Sequence, residues 1–293
     1  MLNWLLEPLS YEFMRNAIAI GIVVGILCPV IGSYLIVQRM ALLGDVIAHC
    51  VLPGLSISFF LGIDILIGAF ASGMLSTFLI AWIRSQSRVA VDAAMTFTFS
   101  SFFALGVTLI TVLKNKLDLD SFLFGDILGV TTADIHRTLI IAAIILVTVR
   151  LFYKELLFYT FDKIGAQAVG LPVNIINLGF TAAVTLTIIA SMQAVGVILV
   201  ISMLIGPALI AYLLVKELHH MMLLGAIVGG FVSITGVYIS YYYNVPSGPA
   251  IVLVSSVLFL VTLLFSPSQG ILTRPDMALA RIFQRVGLFQ NNK

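Results

Sequence analysis

Long apolar runs alternate with short polar breaks along the whole chain. Nine runs of about 20 residues can be marked, at 14–37, 43–61, 64–83, 91–113, 135–154, 174–193, 195–215, 220–242 and 248–265. A hydrocarbon layer of about 30 Å takes roughly 20 helical residues to cross. Within lipid only helices and closed barrels satisfy their own backbone, and these run lengths fit helices. The fold class is therefore an all-α integral membrane protein with about nine transmembrane helices. The stretch 174–215 carries no charge, and the breakers near its middle are Gly196 and the Gly206-Pro207 pair. One break or two is open there, so the count runs from eight to ten.

The polar breaks divide what reads as one transmembrane domain, 1–293. Residues 1–13 have no basic n-region and are interrupted by Glu7, Pro8 and Glu12. They read as an interfacial segment with Trp4 and Tyr11 at headgroup level, not as a cleaved signal peptide. The loop 114–134, KNKLDLDSFLFGDILGVTTAD, sets Asp118, Asp120, Asp126 and Asp134 beside Phe122, Leu123 and Phe124. It reads either as a solvated loop with an interfacial helix or as an acidic mouth that attracts cations and docks a delivering protein. The loop 155–172, ELLFYTFDKIGAQAVGLP, is longer than a connection needs. A helix-like run over 163–169 ends at Gly170 and Pro172, which predicts a helix lying on the membrane and exposed to a partner. The tail 266–293 carries Arg281 and Arg285 on a short amphipathic stretch suited to a membrane surface or a partner.

Lys and Arg set the orientation. With the N-terminus outside, 11 of the 15 fall on inner segments, among them Arg39, Arg84, Arg88, Arg150, Lys154, Lys163 and Lys216. Arg15, Lys114, Lys116 and Arg137 fall outside. The positive-inside rule selects this topology and places the C-terminal tail in the cytoplasm. Composition agrees with a lipid solvent: of 293 residues 61% are hydrophobic and 10% charged, against about 25% charged in soluble domains. The two cysteines, Cys28 and Cys50, lie inside apolar runs and suggest no disulfide framework.

One stretch breaks the apolar pattern. Residues 39–54, RMALLGDVIAHCVLPG, place Asp45 and His49 four apart, on one helix face. From Arg39 at the inner boundary to His49 is about 15 Å of helix, which predicts His49 near the midplane and Asp45 slightly inward. Ionisable groups at such depth line a pathway or pair with one another. Pro53 and Gly54 follow within a turn and predict a kink, which would free a backbone carbonyl near His49 or Cys50 as a further ligand. One chain offers two side-chain ligands where a divalent cation takes four to six. A two-fold dimer about this helix would supply two Asp and two His, a donor set suited to manganese, iron or zinc. The competing reading is a structural Asp–His pair without metal. Cys50 is about 100° around the helix and reads as core. His136, His219 and His220 fall at membrane boundaries, where solvated histidines are ordinary, and are not nominated as ligands.

The Gly-Lys dipeptide of a phosphate-binding loop is absent, so ATP, if used, binds another chain. No HExxH, paired-Cys or Ser-His-Asp motif is present, and no basic patch suits nucleic acid. A secondary transporter or channel driven by ion gradients is one alternative class. An intramembrane enzyme using Asp45–His49 is another, with Ser56 and Ser58 as its only nearby hydroxyls.

The stretches QRMALLGDVIAHCVLPG (38–54), DLDSFLFGDILGV (118–130), FDKIGAQAVGLP (161–172), QAVGVILVISMLIGPA (193–208) and VPSGPAIVLVSSVLFLVTLLFSP (245–267) together resemble the permease of bacterial ABC transporters for manganese, zinc and iron. The resemblance implies a plasma-membrane importer with no permanently bound cofactor. Its partners would be a second permease protomer, cytoplasmic ATP-binding subunits and an extracytoplasmic metal-binding protein. It implies Asp45 and His49 as pore ligands. Residues 161–172 would be the helix that couples to the ATPase, through Phe161, Asp162, Lys163, Ile164, Ala166, Val169 and Gly170. The ending VLPG is more similar to manganese-type members than to zinc-type ones, which carry leucine at the proline position. Cys50 stands where the family has alanine.

Overall fold

The computed structural model describes residues 7–113, 125 and 127–266. Among these, nine helical spans are long and apolar enough to cross a membrane. They comprise α1 (Glu12–Val37), the pair α2 (Leu42–Cys50) and α3 (Leu52–Leu61), α4 (Ile65–Gln86), α5 (Val91–Val112), α6 (Thr132–Leu151), α9 (Val173–Val195), α10 (Val197–Leu214), α11 (Leu218–Tyr243) and α12 (Ser247–Phe265). Two shorter helices, α7 (Tyr153–Phe161) and α8 (Lys163–Ala168), form an arm between α6 and α9. The open question over 174–215 resolves to a single break. Gly196 sits at φ 84°, a conformation that costs glycine little, while Pro207 lies inside α10 without ending it. Ahead of α1, Pro8–Ser10 form one 3-10 turn.

α1 is the buried centre of one half of the bundle and packs against α10 and α11. Its end is a reversal: Arg39 takes φ 58°, and the amide of Met40 donates back to the Leu35 carbonyl at 2.8 Å. The chain therefore leaves α1 and starts α2 only at Leu42. The span predicted to begin at residue 43 thus begins within one residue of the observed helix, with Asp45 in its first turn and His49 about 10 Å along the axis from Leu42.

The expected kink is a one-residue break at Val51, two residues before Pro53. The ladder survives it, with the amide of Val51 donating to Ile47 and that of Leu55 to Val51. The Cys50 carbonyl is already engaged, accepting the Ser72 hydroxyl at 2.6 Å. It is therefore not a spare metal ligand. Beyond the break, Gly54 on α3 meets Gly68 on α4 so closely that a methyl at either would fall on the other's backbone. This contact fixes α3 against α4 and, through the ladder, sets the line of α2.

Side-chain contacts sort the connections into two ends. At one end Gln38 donates to Thr160, and Arg84 lies near enough to Lys163 for its charge to act there. At the other, Arg137 pairs with Asp64 at 2.6 Å, and Asn16 donates to the Val130 carbonyl. The alternation expected of a serial helical bundle is thus present.

Gly54→Ala is expected to cost about 1–3 kcal/mol, read as a lower melting temperature in detergent. Gly179→Ala, where an added Cβ meets nothing within 4 Å, should melt at least as high as the parent.

Candidate metal site

α2 holds Asp45 and His49 on the one face of the helix that the protomer leaves partly open. His49 Nε2 lies 3.4 Å from Asp45 Oδ1, with 19% of the His49 side chain and 45% of Asp45 exposed. Neighbouring positions Leu43, Gly44, Val46, Ile47, Ala48 and Cys50 are all buried. Asp45 sits at the positive N-terminal end of its helix, which favours its negative charge.

One wall of the site is aromatic. Phe99 and Phe103 of α5 stack at 6.0 Å and meet the His49 ring edge-on at 5.1 and 5.7 Å. They hold the imidazole in place without offering it a hydrogen bond. His49 Nδ1 is buried and has no partner. A buried ring nitrogen left unmatched is costly. The site therefore has one imidazole nitrogen beside a carboxylate and a second with no use inside the protomer. Imidazole nitrogen and carboxylate oxygen together suit manganese, iron or zinc. The fit is incomplete within one chain, which supplies two of the four to six donors such an ion takes.

Cys50 points away. It is fully buried, and its Sγ lies 3.9 Å from the Thr98 carbonyl. Ser58 is buried with no hydrogen-bond partner for its hydroxyl. It lies nine residues beyond His49, too far along the helix to act with it.

The arm presents the residues expected to meet a partner. Asp162 caps α8, its carboxylate accepting the Gly165 amide at 2.8 Å. Phe161, Ile164 and Val169 are 63%, 82% and 73% exposed, a projecting apolar group on a polar surface. Gly170 ends the arm at φ 88°. Ala166 is a correction: it is fully buried and seats the helix rather than facing outward. Lys163 lies with its ammonium 4.8 Å from the centre of the Tyr159 ring. Burial, and then the charge of Arg84, hold that ammonium below its ordinary pKa. The Tyr159 hydroxyl donates to Asn177 of α9 at 2.6 Å, tying the arm down.

Asp118, Asp120 and Asp126 lie outside the described residues. Asp134, from the same loop, caps α6 in a reciprocal box with Thr131 and needs no cation. Asp64 caps α4 and takes both oxygens to Arg137. The Arg137 guanidinium holds the Asp64 carboxyl below the usual range, followed by the Leu66 amide. Because the shift is downward, this pair is intact at neutral pH and is lost only as pH falls through the lowered value.

Fold and site define a helical membrane protein with an ionisable pair on one open helix face. Residues 10–266 match the ABC 3 transport family, and the chain belongs to that family. It is a multi-pass membrane transport protein rather than an enzyme. It is 42% identical to the manganese transport system membrane protein MntC of Listeria monocytogenes, over 90% of this chain and 94% of that one. It is 38% identical to a probable iron transport system membrane protein of Haemophilus influenzae, over 96% and 100%. The solved structure of PsaBC from Streptococcus pneumoniae in complex with Fab superimposes with a TM-score of 0.83 at 39% identity, covering 92% of this chain and 97% of that one.

Removing the Phe99 and Phe103 rings together (Phe99→Ala, Phe103→Ala) is expected to weaken divalent-metal binding about tenfold by freeing the imidazole. Cys50→Ala should leave it unchanged. Equilibrium dialysis on the purified protein reads both.

Proposed function

We propose that the chain is the permease subunit of an ATP-driven manganese importer in the bacterial plasma membrane, and that Asp45 and His49 are its ion ligands. The observation that carries this reading is the open α2 face. A carboxylate 45% exposed inside a membrane span is untenable against lipid. A second protomer covering that face would double the donors to two carboxylates and two imidazoles and give His49 Nδ1 company.

The orientation has the N-terminus outside and the tail in the cytoplasm. The end carrying Gln38, Arg84, Lys163 and Lys216 is then cytoplasmic, and the exposed Phe161, Ile164 and Val169 are the contact to ATP-binding subunits. An extracytoplasmic binding protein delivers the ion at the opposite end, and the stretch of sequence with Asp118, Asp120 and Asp126 has the acidic composition that draws a cation. The ion passes to Asp45 and His49, and ATP turnover rocks the helices so that the site opens to one side at a time. Manganese is favoured by the relatives named for it. Iron and zinc share the donor set, and competition among the three ions in uptake decides between them.

In proteoliposomes with the ATPase and binding protein, Asp45→Ala and His49→Ala are each expected to lower ATP-dependent Mn2+ uptake at least about tenfold. ATPase assembly should be retained; parental uptake by both variants overturns the site. Ile164→Asp with Val169→Asp should abolish uptake and ATPase co-purification while leaving Mn2+ binding to the permease intact.

A further inference from the structure

The turn from α10 to α11 gathers three ligand groups that the site above does not use. Glu217, His219 and His220 place one donor atom each within 4.8 Å of one another. His219 Nε2 and His220 Nδ1 both lie 3.2 Å from the same oxygen, Oε2 of Glu217. The imidazole centres are 4.0 Å apart. All three side chains are more than half exposed, so a hydrated ion can reach them and keep waters in its remaining positions.

We propose that Glu217, His219 and His220 form a second divalent transition-metal site, separate from Asp45 and His49. Two imidazoles and one carboxylate make a three-ligand set that leaves open coordination for water. The two His–Glu spacings of 3.2 Å already suit an ion with bonds of about 2.1 Å, and only the outer limit of the set, 4.8 Å, is wider than such an ion requires. Exposed side chains on a helix end can close that difference by rotation. Neutral imidazoles around one carboxylate leave a net negative charge, which a dication offsets. Two features oppose it, the adjacent Lys216 and the amide-rich start of α11, so the binding is weaker than a fully buried three-ligand site would give. With its larger share of nitrogen, the set prefers cobalt, nickel and zinc to manganese.

The place of the trio adds a role. Glu217 lies close enough to Tyr153, the first residue of α7, for its charge to raise that phenol further after burial has done most of the work. The site therefore stands at the root of the arm. Its assignment to the cytoplasmic side rests on the orientation proposed above; its capacity to bind metal does not.

The test is a Co2+ titration of the purified full-length protein, read by the visible absorption of nitrogen-ligated cobalt. His219→Gln with His220→Gln preserves side-chain polarity on an exposed turn and is checked by thermal melting. It is expected to remove one cobalt equivalent per chain, or to weaken that class at least about tenfold. Asp45→Asn with His49→Gln should leave the same class in place. An unchanged cobalt stoichiometry and affinity in the His219/His220 variant overturns the proposal and reduces the trio to an exposed cluster of paired side chains. That result would be independent of whether Asp45→Ala abolishes uptake.

Discussion

A carboxylate and an imidazole held in a membrane helix impose the strictest constraint on this molecule. Neither is tolerable beside lipid, and the protomer covers only part of each. The aromatic wall of Phe99 and Phe103 shields one side of His49 but supplies no acceptor or donor. The remaining sides need a charge, a donor set or a second protein surface. Everything around the pair is arranged to hold it still: the Arg39 reversal starts α2 one turn below Asp45, the Ser72 bond ties down the Cys50 carbonyl, and the Gly54–Gly68 contact fixes the line beyond. The pair is held in place and at the same time incompletely covered within one protomer.

Much of this was legible in the order of residues. Apolar run length predicted the spans to within a few residues, since a bilayer leaves little freedom in helix length. The spacing of Asp45 and His49 predicted a shared face, and the 3.4 Å approach of their side chains agrees. What escaped was set by backbone detail. The left-handed Arg39 has no glycine to announce it, so nothing local signals the reversal between α1 and α2. The position of the break was drawn to Pro53 because proline lacks a donor, yet proline is well tolerated in the first turn of a helix, and the interruption moved to Val51. The charge-free stretch 174–215 held two candidate breakers, and only the φ of Gly196 distinguishes the real one.

Tertiary partners were harder still to read. Asp64 and Arg137 are 73 positions apart, and nothing local signals their pairing. Phe99 and Phe103 look like any apolar pair at helical spacing until α5 is laid beside α2. Ala166 shares its stretch with exposed Ile164 and Val169 but turns inward, because a six-residue helix has one side against the bundle. Glu217, His219 and His220 lie within four positions of sequence; boundary histidines are so often merely solvated that only the convergence on one carboxylate oxygen distinguishes them.

The bond from Gln38 to Thr160 has a mechanical consequence. Thr160 belongs to the arm, and Gln38 is the last residue before the reversal that begins α2. Whatever pushes on the arm therefore pulls at a point four residues from the helix that carries Asp45 and His49. A displacement of the arm need not travel through the long helices at all: it has a short leash, one side chain long, to the base of α2.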